Sequence, residues 1–143
     1  MSKHPAETIE LELAILMRRF LAATTHLKVG MLDRSAYLLL HQISKHGSAG
    51  VKALAEEFHL DISTLSRQAA ALEQKGYVYR IPDPQDGRAY TLQITEDGSR
   101  ELAHTMKVRS EFVADLLQEW STDEQQRFGE LLTKFNRTAF VER

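Results

Sequence analysis

The spacing of apolar residues changes from a helical to a strand-like period at Gly76, and this change limits the folds that the chain can adopt. Before it, apolar residues recur as they do on one face of a helix, and we expect this stripe to be buried. Its members are Ile62, Leu65, Ala69 and Leu72. After it, segments 77–81 and 90–94 alternate in the manner of β-strands, and the loop between them is rich in proline. The sequence therefore predicts a helix that leads directly into a β-hairpin.

Helical spacing and capping residues predict three further helices before the helix that leads into the hairpin. The first extends over about 6–28 and is closed by Gly30. Asp33 can cap the start of the second helix and Gly47 its end. A short third helix begins near Val51 and commits its apolar face to a core. Only a tight turn separates this helix from the fourth.

Capping residues also mark the later helices. Asp61 can cap the fourth helix, and Thr95 can cap a long fifth helix that continues to Trp120. Ser121 and Glu124 form a capping box at the start of the sixth. The predicted fold class is therefore mostly α with a small β-hairpin (α+β).

The fourth helix has a polar face opposite its apolar stripe. Six residues with hydrogen-bonding side chains form this face or its shoulders: Ser63, Thr64, Ser66, Arg67, Gln68 and Gln74. No acidic residue lies among them, and Ala70 and Ala71 keep the helix slim. Such a helix can approach a DNA groove closely while Arg67 and Gln68 reach base edges or phosphates. Together with the third helix it forms a helix-turn-helix. The alternative is an ordinary solvated helix surface.

The tip of the hairpin carries a second candidate DNA contact. Asp86 precedes Arg88 by two residues, so its carboxylate can hold the guanidinium extended through a charge-assisted hydrogen bond. An arginine presented in this way suits the narrow, electronegative minor groove of DNA. Taken alone, Arg88 favours the simpler interpretation of a solvated residue at a hairpin tip. Arg80, on the first strand, either contacts phosphate or pairs with Asp83, and the sequence leaves both alternatives open.

The composition narrows the class of protein. A chain of 143 residues fits one domain, and it has no run of 18 apolar residues and no signal-peptide pattern, so we expect a cytoplasmic protein without a membrane partner. The absence of cysteine excludes disulfides and thiol-based redox sensing within this chain. The net charge of −2 argues mildly against nucleic-acid binding, an objection that weakens if the basic groups are clustered.

The region from the fourth helix through the hairpin resembles the multiple-antibiotic-resistance regulator (MarR) family of winged helix-turn-helix transcription factors. The specific match is the order of Asp86, Arg88, Leu92, Ile94, Thr95 and Gly98, preceded by the helix-to-strand segment 72–80. The resemblance implies that Arg88 enters the minor groove, that Asp86 orients it, and that the polar face of the fourth helix meets the major groove. Gly87 departs from the pattern, because relatives often carry a second basic residue there.

The resemblance extends over nearly the whole chain and implies a single domain at 1–143. Its winged helix-turn-helix core would span 33–98, with the helix-turn-helix at about 51–75 and the wing at about 77–94. Long N- and C-terminal dimerisation helices, at 6–28 and 95–141, would interlock in a homodimer. The apolar residues of these helices independently favour a dimer, although an intramolecular core is the alternative.

The implied function is sequence-specific binding of double-stranded DNA by a ligand-responsive repressor on a palindromic operator. A small aromatic or phenolic ligand would bind between the dimer helices and the winged core. The approximate positions of the predicted helices suggest four residues that would contact this ligand: Arg18, His26, Tyr37 and His41.

Two other functions stay open at this point. A zinc-responsive regulator of the same fold would use His26, His41 and His104, although the sequence has no HExxH motif. A winged-helix protein-interaction module would use the fourth helix and the wing on another protein. We expect no metal site and no cofactor, and no enzyme, because the chain has neither a glycine-rich phosphate loop nor a nucleophile elbow.

Overall fold

The computed structural model describes residues 4–25, 32–87 and 89–140. Helices dominate these residues, and the elements in chain order are α1 (Pro5–Thr25), α2 (Arg34–His46), β1 (Ala49–Gly50), α3 (Val51–Glu57), α4 (Ile62–Gln74), β2 (Val78–Pro82), β3 (Tyr90–Ile94), α5 (Glu96–Leu116) and α6 (Thr122–Thr138). The architecture confirms the predicted mostly helical fold with a β-wing, by which we mean residues 78–94. The predicted end of the first helix, at residue 28 with Gly30, lies outside the described residues.

Contacts divide the chain into two compact units, Met1–Met106 and Lys107–Arg143, and the division falls within α5. The core of the first unit lies between α2, α3, α4 and the sheet. Its largest fully buried side chains include Leu39, Leu40, Ile43, Leu54, Leu65 and Leu92. No helix among the described residues is long and apolar enough to cross a membrane.

The sheet has three antiparallel strands in the order β1-β3-β2, where the sequence predicted only a two-stranded hairpin. β2 pairs with β3 from Val78–Ile94 to Pro82–Tyr90. β1 contributes only Ala49 and Gly50, opposite Leu92 and Thr91. A strand of two residues has no alternating pattern, so the sequence could not reveal it.

The predicted buried stripe of α4 is correct except at its first residue. Leu65, Ala69 and Leu72 are buried, whereas Ile62 is 53% exposed. Ile62 directly follows the cap residue Asp61, and its side chain lines a groove beside the wing instead of the core. The helical projection is correct in angle, but it carries no information on where along the helix the core begins.

Capping hydrogen bonds confirm the predicted starts of the helices. Asp33 accepts the N–H of Ala36 at 2.9 Å, and Ser121 and Glu124 form both bonds of a capping box. The fifth helix, however, ends at Leu116 and not at Trp120. The chain then turns, and the Gln125 amide donates to the carbonyls of Leu117 and Trp120, at 3.3 and 3.2 Å. These bonds satisfy two carbonyls of the turn that follows the helix.

The junction of α4, the sheet and α5 is closely packed around Thr95. Its hydroxyl donates to the carbonyl of Gly76 at 2.6 Å and accepts the N–H of Gly98 at 3.0 Å. Its own N–H donates to the carbonyl of Tyr77 at 3.0 Å. A Cβ at Gly98 would lie 2.2 Å from that carbonyl oxygen, so only glycine allows this approach.

We expect Gly98→Ala to destabilise the protein because the added methyl collides with backbone that is held by hydrogen bonds. The free energy of unfolding, measured by urea denaturation, should fall by about 1–3 kcal/mol, which is typical of overpacking. Gly87→Ala is the matched control, since a Cβ at that position meets nothing within 4 Å. Equal stability of Gly98→Ala and the wild type would contradict the close packing.

Candidate nucleic-acid interface

α3 and α4 form a helix-turn-helix, as the sequence predicted. α3 buries Val51, Leu54 and Ala55. The turn bends at His59, which has a φ of 54°, a left-handed conformation that is uncommon for a residue other than glycine. The N–H of Leu60 returns to the carbonyl of Ala55 at 2.9 Å and closes the turn. α4 therefore starts in a direction set by backbone hydrogen bonds.

The polar face of α4 is accessible in the structure. Ser63, Arg67 and Gln74 are exposed, and Thr64, Ser66 and Gln68 are half-buried. The only acidic residue within α4 is Glu73, in the last turn. The first three turns of the helix therefore carry hydrogen-bonding groups and one cation, and the only carboxylate among residues 61–72 is that of the cap residue, Asp61.

The cap of α4 organises three residues of this face. Asp61 Oδ1 accepts the N–H of Thr64 at 2.6 Å and the hydroxyl of Ser63 at 2.9 Å. Arg67 Nη2 donates to Thr64 Oγ1 at 3.3 Å. Because the Ser63 hydroxyl donates to Asp61, its lone pairs remain to accept from a base, as the amino groups of adenine and cytosine require in the major groove.

These bonds also fix the charge of Asp61. Hydrogen bonds from the Thr64 side chain, the Thr64 backbone and the Ser63 side chain lower the pKa of Asp61 below its ordinary value of 3.8, and the charge of Arg67 adds to the effect. The carboxylate is therefore ionised at neutral pH. A negative charge at a helix N-terminus interacts favourably with the helix dipole.

A groove of about 420 Å³ opens between the start of α3, the start of α4 and the loop of the wing, where Asp83 lines it. Ser66 and Asp86, both predicted site residues, line it, and so do Ile62 and Lys52. The sequence interpretation missed Lys52. A lysine in the first turn of a helix faces an unfavourable dipole, and this placement was the available signal for an anionic partner.

The loop of the wing is closed by its own hydrogen bonds. The N–H of Asp83 donates to the carbonyl of Ala89, and the N–H of Ala89 donates to the carbonyl of Asp86, both at 3.0 Å. The Asp83 carboxylate accepts the N–H of Gln85 at 2.9 Å. Arg88 lies outside the described residues, so its pairing with Asp86 stays a prediction.

The internal partners of Arg80 differ from the one considered from the sequence. Arg80 Nε lies 3.1 Å from Glu73 Oε2, and its guanidinium lies 4.4 Å from the centroid of the Tyr90 ring. Asp83 instead bonds within the loop. The sequence did not indicate this pairing, because Glu73 and Tyr90 lie on different elements and only the fold brings them to Arg80.

The four residues nominated for a ligand are only partly brought together. The rings of Tyr37 and His41 lie 6.5 Å apart between centroids, one helical turn apart on α2. Arg18 lines a separate groove of about 350 Å³ whose walls are all on α1, together with Leu11, Ala14, Ile15 and Arg19. His26 lies outside the described residues. Within the described part of the chain, no three histidine or acidic side chains group as metal ligands.

Comparison with known proteins identifies the class. Residues 32–90 match the model of the MarR family. The chain is 47% identical over 142 residues to the uncharacterized HTH-type transcriptional regulator YxaD of Bacillus subtilis, with 99% of each chain covered. The chain therefore belongs to the MarR family of transcriptional regulators, which confirms the resemblance identified from the sequence.

Solved structures have the same fold. The crystal structure of MarR superposes with a TM-score of 0.79 at 24% identity, covering 97% of this chain and 94% of that one. The PcaV regulator of Streptomyces coelicolor, in complex with its natural ligand, gives a TM-score of 0.70 at 24% identity, covering 97% and 99%.

We expect Asp61→Asn to change the pH dependence of stability. The folded pKa lies below 3.8, so the ionised carboxylate stabilises the fold above the unfolded pKa, and this contribution disappears as pH falls through the folded pKa. Asparagine is also a good cap but has no charge. Urea unfolding should show a less stable variant at neutral pH and a difference that shrinks below about pH 4. A difference that is constant over this range would contradict the assignment.

Proposed function

We propose that this MarR-family regulator is a ligand-responsive repressor that binds a palindromic operator as a homodimer. The observation that carries the proposal is the exposed polar face of α4, which has no acidic residue from Ile62 to Leu72, is backed by the buried Leu65, Ala69 and Leu72 and adjoins the groove beside the wing loop. A rigid helix with this division of faces can enter a major groove without losing its core contacts.

In the proposed complex, the N-terminal half of α4 reads bases, as in other helix-turn-helix proteins. Arg67 and Gln68 have side chains long enough to reach base edges, and Ser63, Thr64 and Ser66 supply shorter contacts. Gln74 follows Ser63 by 11 positions, or roughly 16 Å along the helix axis, so it would meet the DNA backbone at the edge of the site.

The wing supplies the second contact of the proposal. Arg88 would insert into the minor groove, with Asp86 holding its guanidinium. Lys52, exposed at the start of α3, would face phosphates across the groove that Ser66 and Asp86 line. Lys52, Arg67 and Arg88 would supply the local positive charge for DNA, although the formal net charge of the whole chain is −2 and Asp83 and Asp86 also line the groove.

Exposed apolar side chains support the dimer. On α1 and in the C-terminal unit they include Ile9, Leu11, Leu16, Met17, Leu21, Val113, Leu116, Trp120, Leu131, Leu132, Phe135 and Phe140. α6 has no buried residue at all among its described positions. Apolar helix faces of this extent are covered in soluble proteins, and a second copy of the same chain covers them with two-fold symmetry. Two α4 helices would then lie about one DNA turn apart, roughly 34 Å.

The small-molecule part of the proposal rests on the PcaV regulator, which was crystallised in complex with its natural ligand, and on the aromatic pair Tyr37 and His41. A small aromatic or phenolic compound would contact this pair, with Arg18 and His26 as further candidates. Binding there would shift the winged core and lower the affinity for the operator.

The first experiment titrates promoter DNA from upstream of the protein's own gene, and scrambled DNA, with the wild-type protein over a salt series. The proposal expects selective binding with a steep salt dependence, weakened by some member of a panel of phenols and aromatic acids. Equal binding to both DNAs would reject an operator at that promoter, and loss of binding with a chelator would favour the zinc-responsive alternative.

We expect Arg67→Ala and Arg88→Ala each to weaken operator binding. Loss of a direct base contact costs about 1–3 kcal/mol and relaxes sequence preference, so Arg67→Ala should lower affinity roughly 5- to 150-fold and accept more sequences. Arg127→Ala, which removes an exposed cation from α6, is the matched control and should bind as the wild type does. Unchanged affinity in either test variant would remove that residue from the interface.

We expect Leu131→Glu to weaken the dimer. Leu131 is 64% exposed in the single chain, and a carboxylate buried without a partner in an apolar interface is strongly unfavourable. Sedimentation velocity over a concentration series should show monomer where the wild type is a dimer. Glu130→Gln, at the neighbouring exposed position, should leave the dimer intact. A Leu131→Glu protein that dimerises as tightly as the wild type would place the interface elsewhere.

A further inference from the structure

Arg80 touches both halves of the candidate interface. It lies in the middle of β2, and its Nε is 3.1 Å from Glu73 Oε2 in the last turn of α4. Its guanidinium also lies 4.4 Å from the ring centroid of Tyr90, the first residue of β3. One side chain therefore connects α4 with both strands of the wing.

The positive charge of Arg80 is already compensated by these contacts. Glu73 is the only acidic residue within α4, and its carboxylate faces the guanidinium, which also lies against the aromatic ring. Arginine suits this position because a planar guanidinium can stack and pair at once, whereas a lysine ammonium is a point charge. Both side chains of the pair are about 40% exposed, at 40% and 39%, so the pair is only partly screened by water.

The position of the pair matters because β2 has no strand on its outer side. β2 is an edge strand, bonded only to β3. The turn from α4 to β2 includes Gly76, whose φ of 81° gives the chain a sharp change of direction. The hydrogen bonds of Thr95 to Gly76 and Tyr77 hold the root of the wing, and the Arg80 contacts add a link at the middle of β2, closer to the tip.

We infer that Arg80 is a positioning residue that, with Glu73 and Tyr90, fixes the angle of the wing relative to α4. These three residues, which we call the clamp, set the distance between the polar face of α4 and the wing tip. Arg88 would then reach the minor groove while α4 occupies the adjacent major groove. This inference rests on the proposed role of Arg88. The competing function of Arg80 is a phosphate contact, and the tests below distinguish it from the positioning role.

The first test uses the free protein. Glu73→Gln keeps the shape of the side chain but removes its charge, so amide hydrogen exchange at Asp83 and Ala89, whose N–H groups close the wing loop, should become faster. Exchange in the buried part of α4 should stay unchanged. Glu119→Gln removes the same charge from an exposed position in the C-terminal unit and is the matched control. Unchanged exchange at the wing in Glu73→Gln would overturn the clamp.

The second test is a double-mutant cycle on the operator selected for the wild type. Glu73→Gln should weaken binding about 3- to 10-fold, a coupling typical of residues in one network. In the Arg88→Ala background it should have no further effect, because a clamp that acts through Arg88 has nothing left to position. A phosphate-binding Arg80, released from Glu73, would instead bind DNA more tightly with a steeper salt dependence, and that result overturns the inference.

Two further outcomes distinguish failure of the clamp from failure of the proposed role of Arg88. Weakening by Glu73→Gln that persists in the Arg88→Ala background would indicate general structural damage and overturn the positioning role. If Arg88→Ala alone leaves affinity unchanged, the proposed wing contact fails, and hydrogen exchange alone then decides whether the clamp exists. Arg80→Lys adds a check, since lysine replaces arginine at a phosphate but not in a stacked pair, and it should behave like Glu73→Gln.

Discussion

The fold depends on the hydrogen bonds around Thr95, where three elements with separate tasks meet. Its hydroxyl bridges the end of α4, at Gly76, and the first turn of α5, at Gly98, while its N–H bonds the start of the wing at Tyr77. The end of α4, the start of the wing and the first turn of α5 are therefore fixed to one another by the hydrogen bonds of a single residue. A displacement of α5 at this point reaches α4 and the wing together.

The division of α4 into two faces follows from the same packing. Leu65, Ala69 and Leu72 contribute to the core of the first unit, and the core holds the helix from one side only. The other side is free for polar contacts because its residues add nothing to the core. Sequence change on that side would alter the proposed DNA specificity at little cost in stability, whereas change on the buried side would cost the fold itself.

Local signals made much of this structure predictable. Caps such as Asp61 and the Ser121–Glu124 box act within a few residues, so the sequence reveals them directly. Departures arose where distant residues decide the outcome. Ile62 has the right helical phase but lies beyond the edge of the core, which only the packing of the other elements defines. The Glu73–Arg80 pair belongs to this second kind, since only the fold brings its members together.

The short strand β1 ties the wing to the helix-turn-helix. β3 is bonded along its length by β2 and, at Thr91 and Leu92, also by Gly50 and Ala49 of β1. At Tyr90 only β2 remains, and its last residue, Pro82, has no N–H to donate. Gly50 directly precedes α3, so the middle of the wing is paired with the residue from which the helix-turn-helix starts. A force on the wing in the proposed complex would therefore reach α3 through the backbone, without passing through any side chain.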